Sequence, residues 1–341
     1  MPNTPTKILL STTLIGGTLI SISSNSWLGA WMGLEVNLMS MIPLMSTQEN
    51  IYTTEASLKY FIIQALASAT LLFLVMMKAL ANQPLILSEE MHEYTIMVPL
   101  LLKMGAAPLH WWFPSVMEGL SWVNCLLMMT VQKAAPMMLI SYLIKPNNLT
   151  LAIILASVIV GALGGMNQTS LRKILTYSSI NHTGWMLMAA TGGNNLWVLY
   201  FTVYSLLTST MTTIIKSFNI SFINQVMTTN SKMMIKFMLF TTLLSLGGLP
   251  PFIGFLPKWI VIQMMVSNNL MTFVMTTMVV MSLATLYYYL RMCYSSFMIL
   301  HSEVKWNPWP HREYTVAKYS TMLASTSMMG LIVCTMITNT N

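Results

Sequence analysis

The sequence contains no aspartate, and charged residues of all kinds make up only 7% of its 341 positions. A soluble domain ordinarily carries about 25% charged residues on its hydrated surface. Hydrophobic residues make up 55% of this chain, so it needs an apolar solvent around it. These proportions argue against an ordinary soluble domain and predict an integral membrane protein.

Cysteines and clustered basic residues are also scarce. The three cysteines lie far apart in apolar segments and form no C-x-x-C pair, so the sequence offers no zinc or iron–sulfur site. The net charge is +7, but no basic run accompanies it, which argues against a nucleic-acid partner. The glycines at 161, 164 and 165 follow no strand, and helix packing explains them better than dinucleotide binding. We therefore predict neither a metal site nor a cofactor-binding site in this chain.

Apolar stretches of about 20 residues recur along the chain, each long enough to cross the ~30 Å hydrocarbon core of a bilayer. Lipid cannot satisfy open backbone hydrogen bonds, and the alternation typical of barrel strands is absent, so we predict helices. The predicted fold is a single all-α polytopic membrane domain over residues 1–341 with about eleven transmembrane helices. The predicted segments are 8–24, 27–45, 57–80, 93–110, 121–142, 150–167, 173–190, 195–217, 235–265, 271–298 and 318–338.

Basic residues are distributed unevenly between alternate loops, which predicts the orientation in the membrane. One side of the membrane receives ten basic residues and is called the positive side, whereas the opposite side receives only Lys78 and Lys145. The N-terminus is therefore predicted on the positive side, and the C-terminus opposite. The basic residues of the positive side are Lys7, Lys59, Arg172, Lys173, Lys216, Lys232, Lys236, Lys305, Arg312 and Lys318.

A short pattern of glycine and proline occurs twice. Gly105, Pro108 and Pro114 recur 143 residues later as residues 248, 251 and 257, and both sets interrupt or end an apolar segment. Broken helices at matching places in two halves are typical of inverted-repeat transporters. We predict two inverted units of five helices, 8–142 and 150–298, followed by the helix 318–338; chance or general helix-kink chemistry is the alternative. The predicted helix breaks are at Gly105, Pro108, Gly247, Gly248, Pro250 and Pro251.

Four charged residues fall near the middle of apolar stretches: Glu35, Lys103, Lys133 and Lys258. A charge at mid-bilayer costs about 2.5–3.5 kcal/mol on insertion scales, so such residues persist where they pair or face a hydrated path. Burial disfavours the charged form of an amine, and a nearby carboxylate favours it, so a lysine with a movable partner can bind and release a proton. We predict a proton relay; the alternative is a static Glu35–Lys103 ion pair with snorkelling lysines.

Two histidines are secondary candidates for the proton path. His110 follows the Pro108 break, and His182 lies among hydroxyl and amide side chains of the seventh segment. An imidazole titrates near neutral pH and can shuttle protons. A hydrogen-bonded packing role is the alternative for both residues.

Several motifs resemble one family. They are Trp27–Asn37, Thr54–Phe61, Lys103–His110, Gln132–Pro136, Leu171–Ile174 with Tyr177–His182, and Leu246–Trp259. Together they resemble the chain 2 family of mitochondrial NADH:ubiquinone oxidoreductase, respiratory complex I, over roughly residues 20–295. The 35 methionines fit mitochondrial encoding, because animal mitochondria read an isoleucine codon as methionine.

The resemblance implies a function and partners. Members are antiporter-like subunits of the proton-pumping membrane arm, which implies that Glu35 and Lys103 are a coupled pair, Lys133 the central relay lysine and Lys258 the lysine of the second broken helix. It implies that NADH, FMN, iron–sulfur clusters and ubiquinone bind elsewhere in the complex. The expected partners are neighbouring antiporter-like and small core chains and lipids such as cardiolipin. The expected location is the mitochondrial inner membrane, with the N-terminus in the matrix and the C-terminus in the intermembrane space.

Two other functions fit the same residues. One is a self-standing cation/proton antiporter of the same fold. The other is a structural membrane subunit whose buried charges only hold helices together. The high methionine content and the absence of aspartate favour the complex I subunit over the antiporter.

Overall fold

The computed structural model describes residues 5–46, 50–80, 89–228, 233–266 and 272–298, and the single residue 325. Within these residues the chain is helical, and its one β-type contact is an isolated bridge between Ser170 and Phe222. The helices are α1 (Pro5–Ser23), α2 (Trp27–Met45), α3 (Ile51–Leu80), α4 (Glu89–Met104), α5 (Trp112–Gly119), α6 (Trp122–Met129), α7 (Val131–Ser141), α8 (Asn148–Gly165), α9 (Leu171–Gly192), α10 (Asn194–Phe218), α11 (Ile223–Thr228), α12 (Met233–Gly247), α13 (Phe255–Val266) and α14 (Thr272–Met298).

The all-α membrane prediction is confirmed. Seven spans in the described residues are long and apolar enough to cross a bilayer, and the shorter apolar helices α12 and α13 add to them. The first ten predicted segments each coincide with a helix or a pair of helices. The eleventh, 318–338, lies outside the described residues except for residue 325.

Three predicted segments are not continuous helices over their predicted length. The fourth ends at Met104 rather than at residue 110, and the separate helix α5 follows it. The fifth is interrupted at Thr130, which divides it into α6 and α7. The ninth consists of α12 and α13, with residues 248–254 between them.

The chain divides into two compact units, residues 1–153 and 154–341, and the division falls within α8. The helices of the second unit follow those of the first at a nearly constant offset. The starts of α8, α9, α10, α12 and α13 come 143 or 144 residues after the starts of α1 to α5. The 143-residue offset first seen at three glycine and proline positions thus also relates the starts of five pairs of helices. The inverted orientation of the two units remains a prediction.

Glycines allow the first two helices of each unit to pack closely. A β-carbon added at Gly33 would lie 2.5 Å from the backbone nitrogen of Ser21, so α1 and α2 touch backbone to backbone. In the second unit, a β-carbon at Gly161 would lie 2.5 Å from the backbone nitrogen of Asn181. Small residues serve this purpose in membrane helices, where close van der Waals packing drives association.

Polarity is arranged with polar side chains inside and apolar side chains outside. On α3, Leu58, Leu66 and Phe73 are each about 60% exposed. On α9, the buried residues include Thr176, Ser178, Ser179, Asn181 and Thr183. The four hydroxyls among them each donate to the carbonyl three residues earlier in the same helix. An exposed apolar face of this kind fits a lipid environment, and hydrogen bonds to the helix backbone allow these buried hydroxyls to lie in the interior.

Candidate functional site

The first helix break follows Lys103. Helix α4 ends at Met104, and Gly105 adopts the left-handed conformation (φ +70°) that favours glycine. The N–H groups of Gly105 and Ala106 donate to the carbonyls of Leu102 and Leu101 at 3.2 and 3.1 Å, which closes the helix as a Schellman motif. Pro108 lies beyond this cap, so the glycine rather than the proline ends the helix. Lys103 therefore lies in the last turn, where the helix dipole favours a cation.

A small polar cavity lies beside Lys103. Its polar lining consists of Asn37, Tyr60, Gln64, Lys103 and Gln132. The centre of a water molecule has about 10 Å³ of free space there, which is about the room that one water needs. Lys103 is 6% exposed, and among the described residues no hydrogen bond or ion pair reaches its ammonium. A water in the cavity would supply that contact.

Neutral amides join the helices around this cavity. Gln132 donates from Nε2 to Oδ1 of Asn37 at 2.8 Å, and the Tyr60 hydroxyl donates to Oε1 of Gln132 at 3.1 Å. Gln64 donates from Nε2 to the carbonyl of Lys103 at 3.3 Å. These bonds link α2, α3, α4 and α7. They hold the helices that carry Glu35, Lys103 and Lys133 without using a charged group.

Glu35 and Lys103 are not a contact ion pair. Glu35 is half-buried on α2, and within the described chain no carboxylate oxygen of it lies within 4.0 Å of the Lys103 ammonium. The two residues nevertheless interact electrostatically. The static ion pair that the structural alternative requires is therefore absent from this arrangement.

Lys133 is the most deeply buried of the three lysines, with 1% of its surface exposed. It lies in the first turn of α7, three residues after the interruption at Thr130. Its Nζ lies 4.9 Å from the centre of the Phe113 ring, and α7 packs against α4. A cation within about 6 Å of an aromatic face is attracted by the ring quadrupole.

The second break repeats the design of the first within the second unit. Helix α12 ends at Gly247, and Gly248 has φ +82°. Leu249 donates its N–H to the carbonyl of Leu244 at 3.4 Å, the same bond that Ala106 makes in the first unit. The ammonium of Lys258, on α13, donates to the carbonyl of Gly247 at 2.9 Å. That carbonyl is the one from which Pro251 withholds an N–H.

The two histidines have different surroundings. His182 is buried on α9 in the second unit, and its Nδ1 lies 2.8 Å from the hydroxyl of Tyr200. The ring of Tyr204 lies 5.0 Å away. His110 lies in the turn between α4 and α5, where it stacks on Trp111 and its Nδ1 lies 3.3 Å from the carbonyl of Pro108. His182 thus has a hydroxyl partner for proton exchange, whereas His110 contacts a carbonyl that accepts hydrogen bonds only.

The structure assigns the candidate residues to two groups. Glu35, Lys103 and Lys133 belong to the first unit, and Lys258 and His182 to the second. The sequence names Lys103 as a candidate but not the other polar residues of the cavity or Phe113. Asn37 and Gln132 carry a signal in retrospect, because each is an amide in an apolar segment next to a candidate charge. Tyr60 and Phe113 carry none, because aromatic residues are ordinary in such segments.

Known proteins resemble the chain over most of its length. A model of the family described as "NADH:quinone oxidoreductase/Mrp antiporter, TM" matches residues 24–285. NADH-ubiquinone oxidoreductase chain 2 of Anopheles gambiae is 50% identical over 329 residues, which is 95% of each chain. The same chain of Xenopus laevis is 41% identical over 299 residues, 86% of each chain.

Solved structures share the fold. A chain of respiratory complex I from Thermus thermophilus with bound aureothin has a TM-score of 0.83 and 25% identity, over 97% of this chain and 79% of that one. A chain of the Mrp complex from Dietzia sp. DQ12-45-1b has a TM-score of 0.81 and 14% identity, over 96% of this chain and 75% of that one. The second likeness shows the fold alone.

Proposed function

Because this chain belongs to the NADH:quinone oxidoreductase/Mrp antiporter membrane family and to its chain 2 sequences, we propose that it translocates protons as a core membrane-arm subunit of respiratory complex I. The observation that carries the proposal is the placement of the lysines. Lys103, Lys133 and Lys258 are all buried, and among the described residues neither Lys103 nor Lys258 forms a carboxylate ion pair within 4.0 Å. A purely structural charge would be expected to have such a partner.

The chemistry of the relay follows from the amines. An ammonium group gives one proton to a water or to a neighbouring base and becomes a neutral amine, which then accepts the next proton. The hydrogen bond to the Gly247 carbonyl holds Lys258 in place, and the polar cavity offers Lys103 a water site. Glu35 supplies the electrostatic bias on Lys103. His182 with Tyr200 is a second exchange point within the second unit.

Within the assembly, we propose that this chain carries out no redox chemistry of its own. NADH oxidation and ubiquinone reduction occur in other chains, which hold the FMN and the iron–sulfur clusters, and their free energy drives this chain. Its neighbours are antiporter-like and small core chains and lipids such as cardiolipin. The location is the mitochondrial inner membrane, with the N-terminus in the matrix. Family membership supports these assignments.

The test is the substitution Lys133→Ala in the assembled complex. The complex is reconstituted in sealed vesicles, and proton uptake per NADH oxidised is measured. We expect a lower ratio in assembled complex, because no titratable amine remains at this point of the path. Lys133→Arg should also lower the ratio, because guanidinium stays protonated at any accessible pH. The matched control is Lys145→Ala, which removes an exposed lysine that pairs with Glu93 at 2.6 Å.

Each alternative function predicts a different outcome. A normal ratio with normal turnover in Lys133→Ala would remove Lys133 from the relay and favour a structural subunit. A cation gradient driven by the purified chain alone, in vesicles without the rest of the complex, would favour a self-standing antiporter.

A further inference from the structure

Phe113 connects two features of the first unit. It is the second residue of α5, a short helix in which Trp112, Phe113, Pro114, Val116 and Met117 are buried. Its side chain is 1% exposed. One side of this residue faces Lys133, whose Nζ lies 4.9 Å from the ring centre. The residue thus contacts a candidate relay lysine on another helix.

Another part of Phe113 packs on the helix break. A β-carbon added at Gly105 would lie 3.1 Å from Cβ and 3.3 Å from Cγ of Phe113. The neighbouring Trp112 donates from Nε1 to the carbonyl of Leu102 at 3.1 Å, and its ring meets that of Phe113 edge-on at 5.5 Å. The end of α4, which carries Lys103, is therefore in direct contact with the residue that faces Lys133.

The position of Lys133 explains why an aromatic ring is useful there. Lys133 lies in the first turn of α7, and the N-terminal end of a helix dipole disfavours a cation. An aromatic face attracts a cation without fixing it, because the ring has no charge and can accept no proton. A carboxylate at the same place would hold the ammonium in a static ion pair.

We propose that Phe113 is a positioning residue for proton transfer, whose ring supports the Lys133 ammonium and couples it to the Gly105 break. This inference rests on the proposed function of Lys133. A change in the backbone at Gly105 moves Phe113, because the two are packed together. The movement changes the contact between the ring and Lys133, and with it the readiness of Lys133 to release its proton.

The second unit contains a comparable contact. The Nζ of Lys258 lies 5.8 Å from the centre of the Trp185 ring, within the range of a cation–π contact. Trp185 is 1% exposed. Two buried lysines thus face aromatic rings, one in each unit. Phe113 and Trp185 do not correspond at the 143-residue offset, so each unit reaches this arrangement through a different residue.

The test compares aliphatic and aromatic substitutions at position 113 in the assembled, reconstituted complex. We expect Phe113→Leu and Phe113→Met to lower proton uptake per NADH toward the value of Lys133→Ala. We expect Phe113→Tyr, which keeps the ring, to retain most of the normal ratio. The ratio is measured only on assembled complex, so a lower yield does not affect it. Phe201→Leu is the control, because Phe201 is a half-buried aromatic residue that pairs with Trp197 and touches no candidate lysine.

A double substitution separates coupling from general damage. If Phe113 acts through Lys133, then Phe113→Leu adds no further loss in the Lys133→Ala background. An additional loss there, a normal ratio in both Phe113→Leu and Phe113→Met, or equal losses in Phe113→Leu and Phe113→Tyr would overturn the inference. If Lys133→Ala itself pumps normally, the proposed function of Lys133 fails first. The two failures are therefore distinguishable.

Discussion

The three buried lysines differ in their relation to helix ends. Lys103 lies at the C-terminal end of α4, where the dipole favours a cation, whereas Lys133 lies in the first turn of α7. Lys258 is near the start of α13 but donates to the carbonyl that ends α12. The same side chain therefore meets three electrostatic environments. Such differences give a relay a direction, because net proton transfer runs toward the group with the higher proton affinity.

Lys258 donates a hydrogen bond to the Gly247 carbonyl and is also proposed to transfer a proton. Two substitutions distinguish these roles. Lys258→Met removes both, so we expect less proton uptake per NADH and a complex that is less stable to heat. Leaving a buried carbonyl without a hydrogen bond costs about 1–3 kcal/mol of folding free energy. Lys258→Gln keeps a donor for the Gly247 carbonyl but cannot carry a proton, so we expect it to lower uptake with less effect on thermal stability.

The measurements are the proton-to-NADH ratio in vesicles and the temperature at which the assembled complex dissociates. Lys145→Met serves as the control at an exposed lysine. Normal uptake in Lys258→Gln would show that the residue acts only by holding the helix break.

At the residue scale, the sequence identifies the buried charged residues but not the residues that contact them in the folded chain. A lysine in an apolar run is visible because burying it is costly. The contacts of Lys133 and Gln132 are not visible, because their partners are distant in sequence: Tyr60 and Gln132 are 72 residues apart. Nothing local distinguishes Phe113 from an aromatic residue that faces lipid.

At the level of helices, the two breaks share one construction. Each helix is followed directly by a glycine with positive φ, Gly105 or Gly248, and the N–H of the residue after that glycine donates to the carbonyl five residues earlier. Each glycine also packs against a candidate relay lysine or against the residue proposed to support one. Gly105 touches Phe113, and Gly248 touches Lys258. The glycines thus set both the end of the helix and the position of the group beside it.

Adjacent glycines in the second break allow a matched pair of substitutions. Gly248→Ala forces alanine into φ +82° and brings its β-carbon to 2.9 Å from Cδ of Lys258. The left-handed conformation alone costs about 1–2 kcal/mol for a residue with a β-carbon. We expect Gly248→Ala to displace Lys258 and to lower proton uptake.

Gly247→Ala is the control in the same motif. Gly247 is the last helical residue, and an added β-carbon would meet no atom closer than 3.6 Å. Alanine is also the better helix former. We expect normal uptake and unchanged or higher thermal stability. Equal effects of the two substitutions on uptake would contradict the role assigned to Gly248.

Element boundaries show where sequence patterns suffice. Proline and glycine marked the interruption between α12 and α13, because both remove helical hydrogen bonds or favour other backbone conformations. The interruption at Thr130 has no such residue at its site; Pro136 lies within α7 instead. Helix α5 has only eight residues, which is too short for its periodicity to stand out from the neighbouring apolar segments.

On the scale of the whole chain, one offset relates ten helices. The starts of five helices in each unit correspond at 143 or 144 residues, although only three glycine and proline positions revealed the offset beforehand. Most of the repeat was invisible in sequence because lipid-facing and core positions accept many apolar residues. The residues that recur at this offset are the glycine and prolines at the helix breaks, where the backbone conformation limits the choice of residue.

Orientation in the membrane is a property of the whole chain that can be tested directly. The loop around Lys232, which lies outside the described residues, is predicted on the positive side together with the N-terminus. A protease site inserted there should be cleaved from the matrix and protected from the intermembrane space. A site inserted near Lys145 should behave in the opposite way. Cleavage near Lys232 from the intermembrane space would contradict the predicted topology.

The buried charges of the proposed relay also bear on which ions it can carry. Among the described residues, this relay has three buried lysines and one half-buried glutamate, and the chain contains no aspartate. Sodium or calcium would need several oxygen ligands, preferably anionic, in place of its hydration shell. Ammonium groups instead repel metal cations. A proton is treated differently, because a neutral amine binds it covalently and gives it up again. In the proposed relay, selectivity for protons over metal cations therefore needs no filter of defined diameter, because lysine binds a proton and repels a metal cation.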